Sequence, residues 1–194
     1  MHDFLDKLSL HPIIAAIRDE RDLPAALYSP AFALFLLGGS LLSLPAMAAD
    51  ARDAGKKVFV HIDLIEGLGT DPAAVNWCAA TVSPHGIIST RAPILKRAKS
   101  LGLLTIQRLF LVDSASIHHG ERQLAASKPD MVEILPGLLP KPLATLRDAL
   151  GPSVPIIAGG LISSPAEVLC MLDAGAIAIS TSAKPLWSLN PDGR

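Results

Sequence analysis

The stretch VPIIAGGLISS (154–164), followed by AIAISTS (176–182), decides the fold of this chain. Each is a short apolar run that stops in small polar residues just before a helix-like segment. VPII, bounded by Pro155 and the pair Gly159–Gly160, reads as a buried parallel strand. Ser164, Pro165 and Glu167 then read as an N-cap, a proline at the first helical position and a capping-box glutamate. Two neighbouring parallel strands ending in Gly-Gly and Ser-Thr-Ser would turn backbone N–H groups and hydroxyls toward one point. The seventh and eighth loops of a (β/α)8 barrel hold a phosphate in that way. The phosphate-binding candidates are therefore Gly159, Gly160, Ser180, Thr181 and Ser182. Small residues in tight strand-to-helix turns are the plainer explanation of the same stretch.

Working outward, the same unit recurs. Apolar runs that end in polar or glycine residues occur at 13–17, 33–39, 56–67, 86–91, 103–111 and 131–137. Helix-spaced apolar stripes follow them, such as Val75, Cys78, Ala79 and Val82, or Ile94, Leu95, Ala98 and Leu101. The segment from Asp113 fits less well, because Gly120 interrupts it. Eight strand–helix alternations with short connections predict an α/β fold, a compact single-domain (β/α)8 TIM-like barrel over 1–194. At about 24 residues per unit there is no room for elaborate lids. A doubly wound open sheet is the alternative arrangement.

Composition excludes several classes. Hydrophobic residues make up 50%, charged residues 18% and aromatics 4%, so the core is aliphatic and apolar surface remains for a partner subunit, a homodimer. The net charge of −1 gives no global basic footprint for nucleic acid. Cys78 and Cys170 are far apart, without disulfide or metal spacing, and read as reduced core residues of a cytoplasmic protein. Leu23–Ala49 carries no charge, but Pro24, Pro30, Gly38, Gly39 and Pro45 break it up, so it reads as helix, strand and helix rather than a membrane span.

In a barrel, function lies at the C-terminal strand ends. Those ends present Arg18, His61, Asp63, Arg91, Arg108 and Glu133, charged or polar groups that cost several kcal/mol inside a barrel unless paired or bound to ligand. His61 and Asp63 alternate onto one face of the third strand, suited to hydrogen-bonding hydroxyls or moving a proton. Glu133 is placed to do the same or to pair with Arg18 or Arg108, and the arginines suit phosphate or carboxylate. Arg91, Lys96, Arg97 and Lys99 form the basic cluster, whose simplest reading is a solvated helix face. None of the GxGxxG, GxxxxGK[ST] or HExxH motifs occurs, and no metal or cofactor is expected.

Seven segments carry a resemblance: PIIAAIRD (12–19), VHIDLIEGL (60–68), GIISTR (86–91), IQRLFLVDS (106–114), EILPG (133–137), IAGGLI (157–162) and AISTS (178–182). Together they closely resemble the glycerol-3-phosphate responsive antiterminator family of bacterial transcription regulators. The resemblance implies a barrel that binds sn-glycerol 3-phosphate and relieves a terminator in the leader mRNA of glycerol-catabolism genes, with no chemistry on the ligand. The phosphate would fall on Gly159, Gly160, Ser180, Thr181 and Ser182, and the glycerol hydroxyls on some of Arg18, His61, Asp63, Arg91, Arg108 and Glu133. The RNA would meet the cluster of Arg91, Lys96, Arg97 and Lys99, doubled by dimerisation. The rival reading is an enzyme acting on a small phosphorylated substrate, a phosphodiesterase or isomerase, with His61, Asp63 and Glu133 as acid, base and partner.

Overall fold

Strands form where aliphatic and β-branched runs are bounded by glycine, proline and polar residues. The computed structural model describes residues 2–151 and 154–190. Its strands are β1 (Ile13–Ile17), β2 (Ala33–Leu36), β3 (Lys57–His61), β4 (Gly86–Ser89), β5 (Leu104–Phe110), β6 (Met131–Leu135), β7 (Ile156–Gly159) and β8 (Ala178–Thr181). All pair in parallel in chain order, and β8 returns to β1 through Ile13–Ile179, Ile14–Ser180 and Ala15–Thr181. The sheet is a closed barrel, not the open alternative.

The helices are α1 (His2–Leu10), α2 (Leu23–Tyr28), α3 (Leu44–Asp53), α4 (Pro72–Trp77), α5 (Ala92–Ser100), α6 (Ser114–Ser127), α7 (Pro140–Leu150) and α8 (Pro165–Asp173). After β8 a 3-10 turn, Lys184–Ser188, is the only helical element among the described residues. The uncharged 23–49 segment divides into α2, β2 and α3, and no helix among the described residues is long and apolar enough to cross a membrane.

Strand alternation sorts the core into two layers. Ile14, Ala16, Phe35, Phe59, Ile88, Ile106, Met131 and Ile157 fill the barrel interior, together with Phe4 and Leu8 of α1. Ile17, Leu36, Val58, Val60, Ile87, Val132, Ile134 and Ile179 lie in the layer beneath the outer helices. The Phe4 ring centroid is 5.4 Å from that of Phe59 and 5.7 Å from that of Phe32, so α1 plugs the N-terminal end of the barrel.

Three expectations need correction. Gly120 does not interrupt the helix after β5: α6 runs unbroken over fourteen residues from an Asp113 capping box. A methyl group at Gly120 would stand 3.0 Å from Leu109 Cδ1, so the glycine lets the helix lie close against β5. The stripe of Val75, Cys78 and Val82 is buried, but a π-helical turn over Cys78–Val82 follows α4. Cys170 is exposed, because α8 turns Val168 and Met171 inward, whereas Cys78 is buried.

Candidate functional site

The interior alternation continues past the aliphatic layers into polar residues, and that places the site. Beyond Ala16 comes Arg18, beyond Ile106 comes Arg108, beyond Met131 comes Glu133, and beyond Ala178 comes Ser180. These residues line a cavity of about 620 Å³ at the C-terminal rim, with Gly160, Thr181 and Ser182 on the β7 and β8 side and Phe110, Leu135 and Leu161 around them.

The polar centre of the cavity is an ion pair. Arg108 Nε donates to Glu133 Oε2 at 2.7 Å, with the two side chains 7% and 1% exposed. β5 and β6 hold them in register, Arg108 opposite Glu133. A carboxylate so buried is tolerable only beside its countercharge. Gly159 explains how it fits: a methyl group there would lie 2.6 Å from Glu133 Oε1. Gly159 is therefore small so that the carboxylate can pack on β7, and it does not itself line the cavity. Gly160 does, with a φ of +77° that favours glycine, and Leu161 follows at +66°.

Arg18, just past β1, is exposed on the cavity wall and makes no hydrogen bond or ion pair among the described residues. Ser180 is buried and Ser182 exposed. Thr181 has a structural duty instead: its hydroxyl donates to the Ile162 carbonyl at 2.8 Å and accepts from Ala183 N–H at 3.0 Å. Its carbonyl accepts from Trp187 Nε1 at 2.8 Å, which ties the β8 exit to the following turn.

His61, Asp63 and Arg91 sit outside this cavity lining. The expectation that His61 and Asp63 share a strand face fails because β3 ends at His61 and a 3-10 turn over Ile62–Leu64 breaks the two-residue alternation. Asp63 Oδ2 instead accepts from Ser89 Oγ and Thr90 N–H, both at 2.9 Å, bracing the β4 exit. Its other oxygen is 3.8 Å from Arg91 Nε, and Arg91 Nη1 donates to Thr70 Oγ1 at 2.7 Å. His61 Nδ1 is 3.9 Å from Asp63 Oδ2, too far for a hydrogen bond. Burial above all, with the Arg108 cation adding to it, pushes the His61 imidazole down to about 3, against the pull of Asp63. His61 is thus neutral at physiological pH.

The basic cluster lies on α5 and its N-cap, away from the cavity. Arg97 donates to Asn76 Oδ1 at 2.7 Å, and Lys99 to the Lys128 carbonyl and Asp130 at 2.8 and 3.1 Å. These two tie α5 to its neighbours, while Arg91 and Lys96 are exposed. Among the described residues no group of three or more His, Cys, Asp and Glu side chains could hold a metal ion. Sequence reasoning missed Phe110 and Leu161. Phe110 continues the alternate set of Arg108 and could have been found by parity; the left-handed backbone of Leu161 has no sequence signal.

Similarity to known proteins supplies the next link. The family model for the glycerol-3-phosphate responsive antiterminator matches residues 13–187. The uncharacterized protein YgcP of Escherichia coli is 36% identical over 185 residues, covering 95% of this chain and 96% of its own length. Among solved structures, the glycerol uptake operon antiterminator regulatory protein of Listeria monocytogenes is 35% identical, with a TM-score of 0.86 over 94% of this chain and 95% of that one. A glycerol uptake operon antiterminator-related protein of Thermotoga maritima is 30% identical, with a TM-score of 0.81 over 93% and 99%. A match that spans nearly the whole barrel, and that two solved structures share in both sequence and shape, makes this chain a member of the glycerol-3-phosphate responsive antiterminator family.

Proposed function

We propose that the chain senses sn-glycerol 3-phosphate in the rim cavity and, when loaded, acts on the leader mRNA of glycerol-catabolism genes to relieve termination. One observation carries the ligand half: a wall of small residues and a buried ion pair face the same cavity. Gly160, Ser180 and Ser182 stand at the exits of β7 and β8, where barrels of this kind hold phosphate. Arg18 brings a guanidinium without a partner among the described residues, suited to the phosphate oxygens. Glu133 offers acceptors and Arg108 donors to the glycerol hydroxyls, and their pairing orients both before ligand arrives. A small molecule anionic at one end and hydroxylated at the other spans the two. Family membership favours glycerol 3-phosphate among such molecules.

Binding without turnover is supported by the state of the titratable groups. His61, held neutral, lies outside the cavity, Asp63 is committed to the β4 exit, and Glu133 is committed to Arg108. His61 Nδ1 and Asp63 Oδ1 have no hydrogen-bond partner but lie outside the cavity, and the carboxylate inside it is engaged by Arg108, so none of the three combines a place in the cavity with the freedom that the enzyme reading requires of an acid or base. For the RNA half, the exposed Arg91 at the α5 N-cap and Lys96 on α5 are the positive groups, and a homodimer would double them. The ligand shifts the balance between two conformers only by binding one of them better.

Thermal melting with glycerol 3-phosphate, glycerol and inorganic phosphate tests the sensor. At a hundred times Kd the ligand adds about 2.7 kcal/mol, a rise of about 5–10 °C in Tm. No rise at millimolar glycerol 3-phosphate refutes the sensor. A leader-RNA mobility shift that ignores the ligand refutes the regulator, and appearance of a reaction product establishes the enzyme.

A further inference from the structure

The cavity is wider than its proposed occupant. Glycerol 3-phosphate has ten non-hydrogen atoms, which fill at most about 300 Å³ if each is given the liquid-volume share of a water molecule. The cavity measures about 620 Å³. A ligand left in so open a site would keep much of its surface in water, whereas small-molecule sites bury most of it.

Two residues at the rim stand ready to take up the excess. Leu161 follows Gly160 at the β7 exit, with φ +66°, a left-handed backbone that a branched side chain resists. Its side chain is 74% exposed, so the strain is not offset by burial in this conformation. Phe110, at the β5 exit, is 55% exposed and lines the same cavity. The two flank the exit of β6, and the ion pair of Arg108 and Glu133 lies in the cavity they border. Strain and exposed apolar surface together at a cavity mouth mark a segment whose favourable state is a different, occupied one.

We propose that Leu161 and Phe110 are the residues that select the ligand by its carbon arm: they pack over the three-carbon chain and narrow the mouth around it. This rests on the reading of the cavity as a glycerol 3-phosphate site. The anion wall and Arg18 recognise any phosphomonoester, the ion pair recognises hydroxyls, and the two apolar lips recognise the C–H edges between them. Inorganic phosphate offers the lips nothing. A phosphodiester carrying a bulky second alcohol holds them apart.

Calorimetric titration of the full chain with glycerol 3-phosphate and with inorganic phosphate tests the assignment, using Leu161→Gly and Phe110→Ala beside the wild type. Glycine accepts the φ at position 161 and the site is exposed, so Leu161→Gly is expected to melt at or above the wild-type temperature. Both variants are expected to bind inorganic phosphate as the wild type does. Each is expected to lose about tenfold in affinity for glycerol 3-phosphate, equivalent to about 1.4 kcal/mol. Variants that bind glycerol 3-phosphate within twofold of the wild type overturn the selecting role and leave the sensor standing. A wild type that binds glycerol 3-phosphate no better than phosphate overturns both.

Discussion

Replacing Glu133 by Gln tests whether the buried ion pair exists for the fold or for the ligand. The substitution keeps the shape and an acceptor for Arg108 Nε but leaves a cation, 7% exposed, without its countercharge. Removing one partner of a buried pair costs about 3–5 kcal/mol. The retained acceptor, and the cavity on one side of Arg108, put Glu133→Gln at the low end, about 3 kcal/mol. For a chain of this length that lowers Tm by about 6–12 °C. Replacing both partners together, Arg108→Leu with Glu133→Leu, removes both charges and is expected to recover most of the loss. Thermal melting monitored by circular dichroism compares the wild type and the two variants, and ligand titration follows on the same samples. Glycerol 3-phosphate binding is expected to vanish in the double variant although its stability returns. A single variant that melts within about 2 °C of the wild type, or a double variant as unstable as the single, would show that the two charges do not depend on each other in a low-dielectric site.

The remaining predictions concern other parts of the rim. His61 is depressed from 6.5 to about 3 in the fold, so the unfolded chain takes up the proton first as pH falls; the stabilisation is complete above about 6.5 and is lost progressively down to about 3. The loss cannot exceed about 1.4 kcal/mol per pH unit for one group, and His61→Gln should flatten the stability profile between pH 6.5 and 4.5 relative to the wild type. Half-buried His85 is also lowered, by its partial burial first and then by Lys57 and Arg52, and its slope should persist in that variant. Thr181→Val strands the Ile162 carbonyl and the Ala183 N–H and should cost about 1–3 kcal/mol in urea denaturation. Lys96→Ala should leave melting unchanged and reduce the salt slope of leader-RNA binding by about one; an unchanged slope removes α5 from the RNA surface.

The fold was legible because its grammar is local. Short aliphatic runs stop in glycine or polar residues, and a capping serine or aspartate with proline behind it opens α8 and α4 where the pattern requires. The errors arose where a tertiary contact overrode the local signal. Gly120 looks like a helix breaker until Leu109 is seen against it, and nothing between His61 and Glu66 announces the 3-10 turn that sends Asp63 to β4. Helix α1 stands outside the repeated strand–helix units and so escapes the pattern that reveals the others, although Phe4 and Leu8 carry a visible i, i+4 pair. For the site, parity along the strands brings Arg18, Arg108, Glu133 and Ser180 to one cavity. That the Thr181 hydroxyl holds a loop, while Ser180 beside it has no such tie, depends on partners far away in sequence.

Helix α1 has a consequence for traffic through the molecule. With Phe4 seated on Phe59 and Leu8 wholly buried, the cylinder is stoppered at its far end. The interior is packed with side chains, so under the proposed function a metabolite would both arrive and depart through the rim. Anything lying across that rim would slow arrival and departure alike, so residence time and access there are one property.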